Sequence, residues 1–343
     1  MKRWLAISLL GAFAGCDESR SVLAPVNARA DAIAGLGWLV VIGFTVVVVV
    51  MWILIAWAAL RRRGTFDTHR LVSTQDGIGW VYVGGLVIPV LAFGGLLAMS
   101  LARMHTASPE GHEDMHPMAM DGKVMGPDIV VTGHRWWWQV EYQGDDPSTS
   151  IRSANEIRIP TGKVVTIELH SADVIHSFWV PNLEGKVDLI PGHVTHISFS
   201  ADKAGRYEGQ CGEYCGEEHA RMRLVVIAMP PDEYTAWRAH EAGNPPPPTG
   251  DKERRGLAVF ETKACALCHA VRGTRARATV GPDLTHFAER AELAANSYPN
   301  NRGYLGGWIV HAQSLKPAAE MPDLATLTGE ELDALESYLE ALR

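Results

Sequence analysis

Two stretches without a charged side chain set the strongest limit on how this chain can fold. None occurs from Ala32 to Leu60, 29 positions, or from Gly77 to Ala102, 26 positions. A helix crosses the hydrocarbon layer of a bilayer with about 20 apolar residues, so both runs are long enough. The first apolar segment, from about Ala34 to Leu60, contains Val46 to Val50 and Ile53-Leu54-Ile55 and ends at Arg61-Arg62-Arg63. Those arginines are expected to stay in the cytoplasm. The second segment, from about Trp80 to Leu101, contains Gly84-Gly85 and Pro89, which a membrane helix tolerates better than a soluble one. The pattern predicts a transmembrane helical hairpin over residues 30–104, with a short cytoplasmic loop around Gly64 to Asp76 and the chain beyond about Arg103 on the outer face. The full 343 residues are 47% hydrophobic with a net charge of -8. That balance is too apolar for a disordered chain and too acidic for a nucleic-acid binder, and the length suits two or three compact units.

The N-terminus follows the order of a secretory signal: Met1-Lys2-Arg3, then apolar Trp4 to Ala14, then Gly15-Cys16. Residues 1–15 read as the signal peptide. A cysteine directly after Phe13-Ala14-Gly15 resembles the lipobox of bacterial lipoproteins, in which Cys16 would be the acylated first residue of the mature protein. Residues 105–126 form a His/Met-rich linker: the segment Met104 to Met120 holds His105, His112, His116 and, with its two end residues, four methionines. A flexible acidic connection is the plain reading of this segment, and copper capture is the alternative. The five cysteines are odd in number, which argues against a pure disulfide framework.

From about Gly126 to Met229 the pattern changes to short β-prone stretches at Ile129 to Thr132, Glu156 to Ile159, Val164 to Leu169, His196 to Phe199 and Arg223 to Ile227. Gly, Pro and Asp turns separate them, which predicts a sandwich or small barrel. Near its end the chain reads Cys211-Gly212-Glu213-Tyr214-Cys215-Gly216-Glu217-Glu218-His219-Ala220-Arg221-Met222, a Cys-x3-Cys-x3-His-x2-Met spacing. Soft sulfur with imidazole selects copper or zinc, and a thioether tilts the choice to copper. One cysteine would suit a single ion, whereas two that can both bridge allow a pair. A pair needs a second imidazole, for which His176 in His176-Ser177-Phe178-Trp179-Val180-Pro181 is the candidate. A Cys211–Cys215 disulfide and a zinc site remain the competing readings on an exported chain.

Gly133-His134-Arg135-Trp136-Trp137-Trp138, the His176 to Pro181 segment, Lys186-Val187-Asp188-Leu189-Ile190-Pro191-Gly192 and the Cys211 to Met222 loop follow a two-helix hairpin in that order. Together they resemble subunit II of the haem-copper cytochrome c oxidases over about residues 30 to 235. The resemblance implies an all-β, cupredoxin-like Greek-key sandwich over residues 127–235 that holds the binuclear copper centre CuA. In it Cys211 and Cys215 bridge both coppers, His176 and His219 each bind one, and Met222 and the backbone carbonyl of Glu213 complete the two coordination spheres. It also implies that the Glu213 side chain reaches a magnesium or manganese ion shared with subunit I. Trp136 matches the surface aromatic through which electrons pass from cytochrome c to CuA, while packing is the default role for the rest of the tryptophan cluster. One departure concerns the second helix, before which the family often has a glutamate at the mouth of a proton channel. Here the run is Gln75-Asp76-Gly77-Ile78-Gly79-Trp80, and Asp76 is displaced by one position.

After the helix-like stretch Pro231 to Glu241, Pro245 to Pro248 give residues 236–250 the character of a stiff Pro-rich linker. Residues 251–343 contain Cys265-Ala266-Leu267-Cys268-His269, the spacing of covalent c-type haem attachment. Cys265 and Cys268 would form the two thioether bonds and His269 would ligate the iron. Met321, the only methionine after His269, is the natural sixth ligand, and a thioether favours ferrous haem. His286 and His311 are its competitors. Gly256, Phe260, Gly281-Pro282-Asp283-Leu284 and Trp308 resemble class I cytochromes c, which implies an all-α domain. Thr328-Gly329-Glu330-Glu331 is a capping box, and Leu332, Leu335, Leu339 and Leu342 share a helical face expected to pack on the first helix of that domain.

The whole reads as a multi-domain membrane protein resembling the caa-type oxidases: subunit II with a fused C-terminal cytochrome c. The resemblance implies electron flow from cytochrome c or another upstream donor through one haem c and CuA to subunit I. There oxygen would be reduced to water with proton pumping, so the oxygen site is not on this chain. It also implies a subunit III partner, the bacterial inner membrane with both electron-carrying domains on the outer face, and no nucleic acid. Two other readings stay open: a membrane-anchored copper and haem protein for redox sensing or assembly, and a CuA donor to another terminal reductase.

Overall fold

The computed structural model describes residues 20–61, 75–107, 127–144 and 150–343. Cys16, His112 and His116 lie outside them, as do the side chains of Asp76 and His105. The chain divides into two compact units, residues 31–115 and the remainder.

Helix α1 spans Ala28–Leu60 and begins earlier than hydropathy alone predicts, because Asn27 Oδ1 caps it by accepting from the Ala30 N–H at 2.8 Å. Its 33 residues rise about 50 Å. The second apolar stretch is helical from Gln75, as α2 (Gln75–Tyr82), a π-helical turn (Val83–Val87) and α3 (Ile88–Ala107). The wide turn falls directly before Pro89, which lacks an N–H and crowds the carbonyl four residues back, so the local widening has a cause in the sequence. Trp52, Ile53, Leu91 and Phe93 are all open on these helices. Apolar faces of this extent belong in lipid.

In the other unit ten strands among the described residues form two five-stranded sheets. One has the order β3-β2-β1-β5-β8 and the other β4-β10-β9-β6-β7. They run β1 Ile129–His134, β2 Trp137–Tyr142, β3 Ile151–Ala154, β4 Glu156–Pro160, β5 Val165–Ser171, β6 His176–Trp179, β7 Val187–Leu189, β8 Thr195–Phe199, β9 Gly205–Cys211 and β10 Arg223–Met229. Alternate residues of β1, β2 and β5 point inward, and Ile129, Val131, Trp138, Val140, Ile167 and Leu169 are fully buried against Ile157, Ile159 and Phe178 of the facing sheet. Residues 27 and 29, at the start of α1, are tied to this sandwich: Asn27 Nδ2 donates to the carbonyls of Leu183 (2.8 Å) and Ser200 (2.7 Å), and Arg29 pairs with Glu184.

Helix α4 (Pro231–Glu241) lies on the sandwich through Trp237, whose ring meets Tyr142 at 5.0 Å. The haem-type domain then contains α5 (Asp251–Thr262), α6 (Cys265–Cys268), α7 (Arg302–Val310), α8 (Ala312–Leu315) and α9 (Gly329–Ala341). It is helical apart from a two-residue ladder of Glu292–Leu293 with Tyr298–Pro299. Thr328 and Glu331 close the predicted capping box on α9. Leu335, Leu339 and Leu342 are buried, and α9 crosses α5 where a Cβ on Gly256 would stand 2.1 Å from the Ala334 carbonyl oxygen. Only glycine allows that approach.

Candidate redox centres

Strands β9 and β10 deliver the sulfur ligands, and the neighbouring β6 delivers an imidazole. Cys211 ends β9, Met222 immediately precedes β10, and Cys215 and His219 lie in the loop between them. His176 opens β6 and is fully buried. Its Nδ1 is 3.9 Å from Cys211 Sγ, the two Sγ atoms are 3.8 Å apart, and Cys215 Sγ lies 3.6 Å from His219 Nδ1 and 3.9 Å from Met222 Sδ. The Glu213 carbonyl oxygen is 3.2 Å from Cys211 Sγ. A disulfide would need about 2.05 Å between the sulfurs. Tetrahedral coordination with metal–sulfur bonds of about 2.3 Å places two ligand sulfurs about 3.8 Å apart, so the donor set fits soft metal ions bridged by both thiolates.

The electrostatics point the same way. The Cys211 pKa is lowered to about 4, chiefly by its hydrogen bond with Cys215, and the same contact, with burial, pushes Cys215 up. Metal cations would replace the remaining thiol proton and let both sulfurs ionise.

Asp173 is the residue that motif reading missed. Its Oδ1 lies 2.7 Å from His176 Nε2, the arrangement that turns the other ring nitrogen toward a metal. Burial alone would raise its carboxyl, but hydrogen bonds from His176 and from the backbone N–H groups of Val174 and Arg135 hold it below the ordinary carboxylate value. Gly133 makes room for the ring, since a Cβ there would come 2.8 Å from His176 Cδ2. The Glu213 carboxylate is half exposed and faces Lys186 at 3.7 Å.

In the helical domain Cys265, Cys268, His269 and Met321 line one cavity of about 410 Å³, walled largely by apolar side chains including Phe260, Leu305 and Trp308. His269 Nδ1 donates to the Pro282 carbonyl at 2.8 Å, which leaves Nε2 bare, and burial lowers the imidazole pKa and keeps it neutral. The Met321 loop is fixed by Gln313 Nε2, which donates to the carbonyls of Ala319 (2.6 Å) and Met321 (2.8 Å). An apolar slot with two thiols, a neutral imidazole and a thioether fits a covalently held haem. His286 and His311 do not line it.

The two centres share a wall. Trp136 was expected at the surface, yet it is only 7% exposed, because the fused haem-type domain covers it and it lines the same cavity as His269 and Met321. Its Nε1–H donates to the Cys215 carbonyl at 3.0 Å. Lys316 pins the contact, donating from Nζ to the carbonyls of Trp136 (2.7 Å), Arg221 (3.0 Å) and Ala294 (3.2 Å). No pattern in the sequence marks it.

Membrane-length helices, a copper-type sandwich and a c-type haem domain on one chain define a membrane-anchored electron-transfer protein. Residues 146–229 match the family described as cytochrome c oxidase subunit II, periplasmic domain, and residues 253–343 match cytochrome c. The cytochrome c oxidase subunit 2 of Alkalihalophilus pseudofirmus is 34% identical over 349 residues, covering 99% of this chain and 97% of the relative. That of Bacillus subtilis is 28% identical over 361 residues, covering 100% and 99%. Among solved structures, the periplasmic domain of subunit II of the Bradyrhizobium japonicum cytochrome oxidase matches with 29% identity and a TM-score of 0.31, covering 35% of this chain and 96% of that one. The chain belongs to the cytochrome c oxidase subunit 2 family. It is part of a haem-copper oxidase, and its domains imply copper and haem c as cofactors and subunit I as a partner.

Proposed function

We propose that this chain receives electrons from cytochrome c or another upstream donor and relays them to subunit I, supporting oxygen reduction and proton pumping there. When bound, the haem and the CuA pair supply one-electron carriage with little change of geometry. Cys265 and Cys268 would anchor the haem covalently, and His269 and Met321 would ligate its iron. Cys211, Cys215, His176, His219, Met222 and the Glu213 carbonyl would hold the copper pair. Asp173 orients His176, and the apolar wall around Met321 excludes water. Trp136, which lines the haem cavity and donates to the Cys215 carbonyl, would carry electrons from the haem-type domain into the sandwich. The half-exposed Glu213 carboxylate suits a magnesium or manganese ion at the subunit I surface. Subunit III, the bacterial inner membrane with both domains on its outer face, and lipidation at Cys16 complete the reading, with domain limits as read from the sequence.

The observation that carries this proposal is the shared wall: one side chain, Trp136, lines the haem cavity and donates to the backbone of Cys215. The test is purification from native membranes with metal and haem counting. A haem-copper subunit should accompany the chain, with two coppers and one covalent haem on the chain itself. Isolation without that partner, or failure of oxygen to oxidise a reduced donor, would sink the reading.

A further inference from the structure

Three side chains that serve neither centre meet where α4 reaches the haem-type domain. His240 lies near the end of α4, His286 immediately precedes the turn Phe287–Glu289, and Glu289 ends it. One potential ligand atom from each lies within 4.8 Å of the others, and His240 Nε2 is 2.8 Å from Glu289 Oε1. Tetrahedral bonds of about 2.0–2.1 Å put nitrogen and oxygen ligands about 3.3 Å apart, within the 4.8 Å that contains these three ligand atoms.

His286 gives the cluster its direction. The residue is 4% exposed, and its Nε2 lies 3.3 Å from the Gly243 carbonyl, which can only accept, so Nε2 carries the proton. Nδ1 is therefore the bare nitrogen, and it has no hydrogen-bond partner among the described residues. A ring whose one nitrogen is spent on a backbone carbonyl while the other offers a buried lone pair is the usual state of a metal-binding histidine. The guanidinium groups nearby are otherwise engaged: Arg158 sits between Glu156 (3.7 Å) and Glu241 (3.6 Å), and Arg290 donates to the Asp283 carbonyl.

We propose that His240, His286 and Glu289 bind a divalent transition-metal ion, zinc by the chemistry of two imidazoles and a carboxylate. The half-exposed His240 provides access, and the fourth position falls to water. The ion ties the helix that follows the sandwich to the haem-type domain, bridging the two ends of the proline-rich connection.

The test uses the purified oxidase complex with its copper and haem in place. Zinc chloride is titrated in, weakly held ion is removed by desalting, and zinc is counted and its K-edge absorption fine structure recorded. The wild type should retain about one zinc per chain more than His240→Ala or Glu289→Gln, with binding weakened roughly tenfold or more in either variant. The difference spectrum should carry imidazole scattering. His240 is exposed, so its replacement leaves the fold intact, and zinc held elsewhere is common to all samples and cancels. Equal retention by wild type and both variants, or no zinc retained by the wild type, overturns the proposal.

Discussion

Replacing Lys316 by methionine should flatten part of the pH dependence of stability, with a sign that the structure fixes. The ammonium is 3% exposed, and its donors reach one carbonyl of the haem-type domain and two of the sandwich. Burial, the largest influence, lowers its pKa from 10.5 to about 7 against the pull of Glu218. An unfolded lysine keeps its proton up to 10.5. Between pH 7 and 10.5 the unfolded chain therefore binds more protons than the folded one, and stability rises with pH by at most about 1.4 kcal/mol per pH unit. This contribution is complete above 10.5 and is lost as pH falls to about 7; the full gap is worth about 5 kcal/mol. Methionine keeps most of the packed stem and removes the titration. Urea unfolding of the haem-type domain within the intact chain, followed by its Soret absorbance, supplies the comparison for wild type and Lys316→Met. From pH 6.5 to 9.5 the wild type should gain about 3 kcal/mol on the variant. Parallel profiles would show that Lys316 is not buried as a charge at the contact, and the argument would fail.

Three other substitutions test separate parts of the molecule. Asp173→Asn removes the carboxylate from His176 Nε2, and copper affinity should fall roughly 10–100-fold with little change in melting temperature; copper retained after dialysis against a chelator measures this. Gly256→Val forces apart α5 and α9, because the first added carbon already overlaps the Ala334 carbonyl oxygen, and should destabilise the haem-type domain by about 3 kcal/mol; an unchanged urea midpoint would refute the close crossing. Met321→Leu should leave the covalent haem attached but lower its reduction potential, since a thioether favours the ferrous state. An unchanged redox titration and spectrum would assign the sixth ligand to another side chain.

What could be read from the sequence, and what could not, divides by the range of the interactions. The membrane helices announce themselves because charge is excluded over a contiguous run, and the α9 capping box and the Cys-x2-Cys-His attachment are local chemistry. Strand β9 escaped notice because Gly205-Arg206-Tyr207-Glu208-Gly209-Gln210-Cys211 has no β-branched residue; its pairing with β10 and β6 makes it a strand. Strand β2, rich in aromatics, was hidden by the tryptophan run that looked like a separate cluster. The supports of the two centres are non-local or unpatterned: Asp173 gains meaning only when β6 turns His176 toward it, and Lys316 meets Trp136 across 180 residues. Trp136 shows the limit most plainly. Its motif resembles one in which the tryptophan is a surface aromatic, and on that resemblance it is expected to be exposed. Here the haem-type domain is on the same chain, and Lys316 and the wall around Met321 lie against Trp136. A motif therefore carries the chemistry of a side chain but not its exposure, which depends on what else the chain brings to the same face.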